Sequence, residues 1–60
     1  MDNFTACMIA EGQQEATEEE QLQAWQHLVD TGLAWTLQGW FGRTAMDMIN
    51  AGLITPKERT

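Results

Sequence analysis

The sequence predicts an all-α fold of three to four short helices, and three observations carry that prediction. Thr17-Glu18-Glu19-Glu20 is a capping box, a hydroxyl followed three residues later by a carboxylate, which marks a helix start. Behind it, Leu22, Trp25, Leu28 and Val29 recur at the spacing of one helix face. Gly12, Gly32 and Gly52 each follow an apolar stretch, the place where helices commonly end. Residues 1–60 are expected to form a single small helical domain, with residues 55–60, from just before Pro56, as a fraying tail.

Taken in chain order, Asp2 or Asn3 can cap a first short helix running through Phe4, Ala6, Cys7, Met8, Ile9 and Ala10. Phe4 and Met8 lie four apart and share a face, and Gly12 ends the element. Residues 13–16 are polar and unpatterned and read as a loop. The second helix is expected over 18–31. Glu18 and Glu19 occupy its first turn, where the helix dipole favours negative charge, and Glu19, Gln23, Gln26 and Asp30 project from its polar side. Residues 33–41 admit two readings. A helix places Leu33, Leu37, Trp40 and Phe41 on one face, whereas a strand alternates Leu33, Trp35 and Leu37 with Ala34, Thr36 and Gln38. The helix is preferred, because a lone strand would need a partner from another chain. Gly39 and Gly42 bracket Trp40-Phe41 and suggest a bend. Thr44 with Asp47 offers a further cap, opening a last helix through Ala45, Met48 and Ile49 that ends at Gly52, with Leu53 and Ile54 folding back onto it.

Size and charge bound what such a chain can do. A 60-residue domain buries only ~60% of the surface its unfolded form exposes, and small domains commonly need a staple or a partner. The single cysteine cannot close an internal disulfide, and one Cys with one His cannot fill a structural zinc site. Oligomerisation remains, and a homo-oligomer is expected. Cys7 reads as a small half-buried hydrophobe. The N-terminus has no basic segment and no apolar run approaches a membrane span, so an intracellular, soluble protein is expected, without membrane contact. Residues 1–30 carry seven carboxylates (Asp2, Glu11, Glu15, Glu18, Glu19, Glu20, Asp30) and no Lys or Arg. Residues 31–60 set Arg43, Lys57 and Arg59 against Asp47 and Glu58. No basic patch exists to meet phosphates, which disfavours direct nucleic-acid binding; a partner with a basic surface is compatible.

No catalytic constellation emerges. His27, on the polar side of the second helix, has no nucleophile in evident reach and reads as a solvated helix-face residue. The acids of residues 11–20 read first as solubilising charge and helix dressing, and more sharply as a mimic of a nucleic-acid backbone. They lack the glycine pattern of a calcium loop. With these residues neither an enzyme nor a bound cofactor or metal is expected. Trp25 and Trp40 lie on apolar stripes and are assigned to the core. Trp35 points away from the stripe of its segment and is assigned to an interface, where tryptophan is enriched. Arg43, the sole cation among the aromatics, can stack on Trp40 or Phe41, pair with an acid, or bond helix-end carbonyls. The candidate contact therefore joins an aromatic of residues 35–41 (Trp35, Trp40, Phe41) and Arg43 with Glu18, Glu19 and Glu20.

Residues 28–35, LVDTGLAW, followed by LQGWFGRTA at 37–45, resemble a family of small proteins from tailed bacteriophages that share an LIDTGLVWxLQGxYGRTAxxLIxxG pattern. Met48-Ile49-Asn50-Ala51-Gly52 fills the closing LIxxG with Met48 in the Leu position; Phe41 replaces the usual tyrosine, and Trp40 stands at a variable position. Residues 7–12 loosely match the short helix that precedes the acidic loop in that family. The similarity covers roughly residues 6–54. It implies a source and a context: a phage accessory protein, acting in the host cytoplasm, that binds and modulates a host protein during takeover or counter-defence. A small structural or virion-associated self-assembling protein is the alternative.

Overall fold

The computed structural model describes residues 1–56, and four helices account for most of them: α1 (Asn3–Ala10), α2 (Glu18–Asp30), α3 (Leu33–Thr36) and α4 (Gly39–Asn50). Among the described residues there is no strand. Asp2 caps α1, its carboxylate accepting the Thr5 N–H at 2.7 Å. Both halves of the capping box close α2: Glu20 N–H donates to Thr17 Oγ1 at 3.1 Å, and Thr17 N–H donates to Glu20 Oε1 at 2.9 Å. α1 and α4 end alike. Gly12 and Gly52 take φ of 76° and 78°, a left-handed conformation that side chains with a Cβ rarely adopt. At each, two reversed bonds close the turn: Gly12 to Ile9 (3.1 Å) with Gln13 to Met8 (2.9 Å), and Gly52 to Ile49 (3.0 Å) with Leu53 to Met48 (3.0 Å).

α2 is the central element. α1 and α3 pack against it, and α4 packs on α3 and reaches α2 through its aromatic side chains. The core comprises Ala6 and Ile9 from α1; Ala24, Trp25, Leu28 and Val29 from α2; Ala34 from α3; Phe41 and Ala45 from α4; and Ile54 beyond it. Four of these ten are alanine, which lets short helices approach closely but contributes little apolar area. Leu28 and Val29 are the largest side chains that are essentially fully buried, each worth about 1.5–3 kcal/mol of transfer free energy. Of the expected stripe, Trp25, Leu28 and Val29 are buried and Leu22 is half-buried.

Residues 33–41 form neither the continuous helix nor the strand. α3 stops after one turn; Leu37 (ψ −169°) and Gln38 (ψ 151°) are extended, and α4 begins at Gly39. The extended joint breaks the i, i+4, i+7, i+8 register. Phe41 is buried, Leu33 half-buried, and Leu37 and Trp40 are exposed. The expected cap at Thr44 is also absent. α4 starts five residues before it, so Thr44 and Asp47 are interior helix positions and Gly42 lies inside the helix rather than at a bend. Of the pair after Gly52, Ile54 folds back into the core, while Leu53 is exposed.

Two residues of the supposed polar side of α2 do structural work. Gln26 holds the backbone of Thr55 from both sides: Nε2 donates to Thr55 O (2.8 Å), and Oε1 accepts Thr55 N–H (2.9 Å) and its hydroxyl (3.3 Å). The same Nε2 also reaches Asp30 Oδ1 at 3.0 Å. A side-chain amide thus pairs like a peptide group and seats Ile54 beside it. His27, expected to be solvated, is half-buried with Nε2 at 2.7 Å from Asn3 Oδ1, so α2 is tied to the start of α1. Of the expected fraying tail, Thr55 is held by Gln26, and residues 57–60 lie outside the described residues. Gln26→Ala should lower unfolding free energy by about 1–2 kcal/mol, since neutral hydrogen bonds contribute roughly 1 kcal/mol each. Gln26→Glu, which keeps an acceptor for Thr55 N–H, should fall between, as read by urea unfolding and by amide exchange at Thr55.

Candidate interaction surface

Large apolar side chains remain exposed along α3, the joint and α4: Trp35 (49%), Leu37 (36%), Trp40 (40%) and Met46 (46%). Trp35 stands on the last turn of α3 and rests on Gly42. A Cβ at position 42 would sit 3.4 Å from Trp35 Cε3 and 3.4 Å from the Ala34 carbonyl oxygen, the near edge of ordinary contact, so the indole lies against the α4 backbone with room there for a side chain no larger than a methyl group. One indole edge is thereby fixed while half of the ring faces outward. Met46 is one turn after Gly42 and shares that flank of α4.

Trp40 belongs to a different surface. At 100° per residue it leaves α4 roughly 160° around from Gly42. It stacks on Phe41 (3.9 Å between centroids, 27°) and meets Trp25 edge-on (6.2 Å, 73°), while Phe41 itself lies 5.8 Å from Trp25. Its Nε1–H donates to Gln38 Oε1 at 3.0 Å, which occupies the side chain that could otherwise cap α4. The assignment of Trp40 to the core is corrected: Phe41 fills the core position, and Trp40 covers it from outside. Sequence spacing counted along an unbroken helix put Trp40 on the inward stripe, and the extended joint before Gly39 turned it out.

Glu18, Glu19 and Glu20 form the first turn of α2, whereas Trp35 follows its C-terminal end. A rise of 1.5 Å per residue separates the two ends of α2 by roughly 18 Å. The aromatic and acidic candidates therefore occupy two places. Glu20 is committed to the cap. The Thr17 backbone N–H, then its hydroxyl, hold the carboxyl below its ordinary value, so Glu18 and Glu19 are the acids left for a partner. An open depression lined by Glu15, Ala16, Thr17 and Glu20 adjoins the same turn. Among the described residues no group of three His, Cys, Asp or Glu is placed to hold a metal ion. Phe41, a candidate contact residue, is 2% exposed and serves the core. Arg43 is exposed on α4, and none of its three expected roles is seen among the described residues. Sequence reading missed the seat at Gly42. Its one signal was a glycine inside a helical stretch, where it costs about 1 kcal/mol relative to alanine unless close packing uses it.

Two outcomes follow from this geometry. Asp2 is held below its ordinary value by the Thr5 side chain and then its N–H, and Glu20 by Thr17. For lowered carboxylates the stabilisation is complete above the unfolded-state value and is lost as pH falls through the folded-state value. Helicity should therefore decline on acidification through the acidic carboxylate range, and Glu20→Gln, which still accepts a hydrogen bond, should remove its share of that dependence in circular dichroism titrations. Gly42→Ala places its Cβ at ordinary contact distance and should stabilise α4 by up to about 1 kcal/mol with the Trp35 indole N–H resonance unmoved. Gly42→Leu should shift that resonance by displacing the ring.

No curated protein and no solved structure matches the chain. A family model does, over its whole length, residues 1–60. By that match the chain belongs to the family described as Domain of unknown function (DUF7417).

Proposed function

We propose that this chain is a non-enzymatic accessory protein that binds and inhibits a host protein, acting in the host cytoplasm as its resemblance to small phage proteins suggests. The observation that carries the reading is Trp35, half exposed yet braced on the Gly42 backbone. A tryptophan held in place before binding loses little side-chain freedom on docking, and a desolvated aromatic is the usual anchor of an interface. The acids act at a distance. Seven carboxylates and no cation in residues 1–30 favour approach to a basic surface and speed encounter more than they tighten the complex. The alternative of a nucleic-acid mimic would use the acids of residues 11–20 as its phosphates, with Glu20, still ionised in the cap, among them.

The test is capture of a stoichiometric partner from bacterial host lysate on the immobilised chain, followed by kinetics with the purified pair. Trp35→Ala should raise the dissociation rate about 30-fold, the hot-spot threshold of about 2 kcal/mol, with helicity retained. Glu18→Gln with Glu19→Gln should slow association and flatten its salt dependence. An unchanged dissociation rate in Trp35→Ala would remove Trp35 as the anchor.

A further inference from the structure

We propose that the outer face of α4 is a self-association surface, on which a second copy of this chain docks antiparallel across a two-fold axis. The first observation is the division of charge. A second copy brings its own net charge of −6, and seven of the nine carboxylates fall in residues 1–30 without a compensating cation. Residues 31–56 hold one acid, Asp47, and one base, Arg43. The surface built by α3 and α4 is thus where two copies meet without like-charge repulsion.

The second observation is the placement of that one pair. Arg43 and Asp47 are both exposed and stand one turn apart on α4. Neither side chain takes part in the side-chain hydrogen bonds of the described residues, and arginine before aspartate is the weaker order for a pair within one helix. A two-fold axis makes an interface self-complementary, so that whatever residue i meets, its counterpart meets in return. With two α4 helices antiparallel and the axis between these positions, Arg43 of each copy faces Asp47 of the other, and one pair becomes two. Exposed Met46 lies beside the axis and supplies apolar contact, and Gly39, on the same side of the helix, allows close approach. The charges choose the face and the orientation; the methionines add burial.

This surface adjoins the Trp35 anchor at Met46, and the two readings are told apart by the measurement: this one reads mass, the other partner capture. Light scattering at micromolar concentration should give twice the 6.8 kDa chain mass. Arg43→Glu and Asp47→Arg should each be monomeric, since each creates two like-charged contacts across the axis. Mixing the two single variants should restore a dimer, as should the double variant Arg43→Glu/Asp47→Arg, with circular dichroism confirming helix in every case. A monomeric parent chain overturns the proposal. So does a dimer that survives both single variants, or a mixture and a double variant that stay monomeric while helical. A dimer with no captured host protein would leave this inference standing and remove the host-binding reading.

Discussion

Everything in this small fold depends on Trp25 being covered. It is the largest side chain of the core and is 6% exposed. Phe41 and Trp40 close over it from α4, one tilted and one edge-on, and through them α4 engages α2. Aromatic pairs in such orientations add about 0.5–1.5 kcal/mol beyond area burial. In a domain whose core is four-tenths alanine, that is a large share of the packing energy. To place consecutive residues 40 and 41 over one indole, the chain must re-enter a helix just before them, and the extended Leu37-Gln38 joint does this.

Polar side chains finish what the small core leaves undone. Gln26 and His27 are the two residues after Trp25, and each reaches a distant end of the chain: Thr55 beyond α4, and Asn3 at the start of α1. Residues 24–29 of α2 thus hold every other element, by packing or by hydrogen bonds. Neither contact is deeply buried, so each contributes modestly. Their value lies in closing the largest loops in the fold, where a weak bond prevents the greatest loss of order.

The arrangement that covers Trp25 also sets out the surface. Trp40, needed as a lid, has one face left in solvent. Trp35, thrown to the other flank of α4 by the same joint, is left braced on Gly42. The acids stay at the far end of α2, where the helix dipole favours them and where one is consumed by the cap. The exposed aromatics and the Arg43 and Asp47 side chains thus neighbour one another on α3 and α4, while Glu18 and Glu19 stand at the other end of α2.

Local features can be read from the amino-acid order alone. The all-α class, the capping box at Thr17, the stripe on α2 and the terminating glycines at 12 and 52 are legible because each is set by residues within one or two turns. Trp35 was legible as an exposed aromatic because it had no place on any stripe. The tertiary structure decided the rest. It broke the helical register at Leu37-Gln38, exchanged the core role of Trp40 for that of Phe41, carried α4 through Gly42 and past Thr44, and turned Gln26 and His27 from solvated residues into clasps. Gln26, His27, Trp40 and Phe41 each answer to a partner at least ten residues away in the chain. Periodicity counts positions along one element, and it holds no information about where a second element will lie.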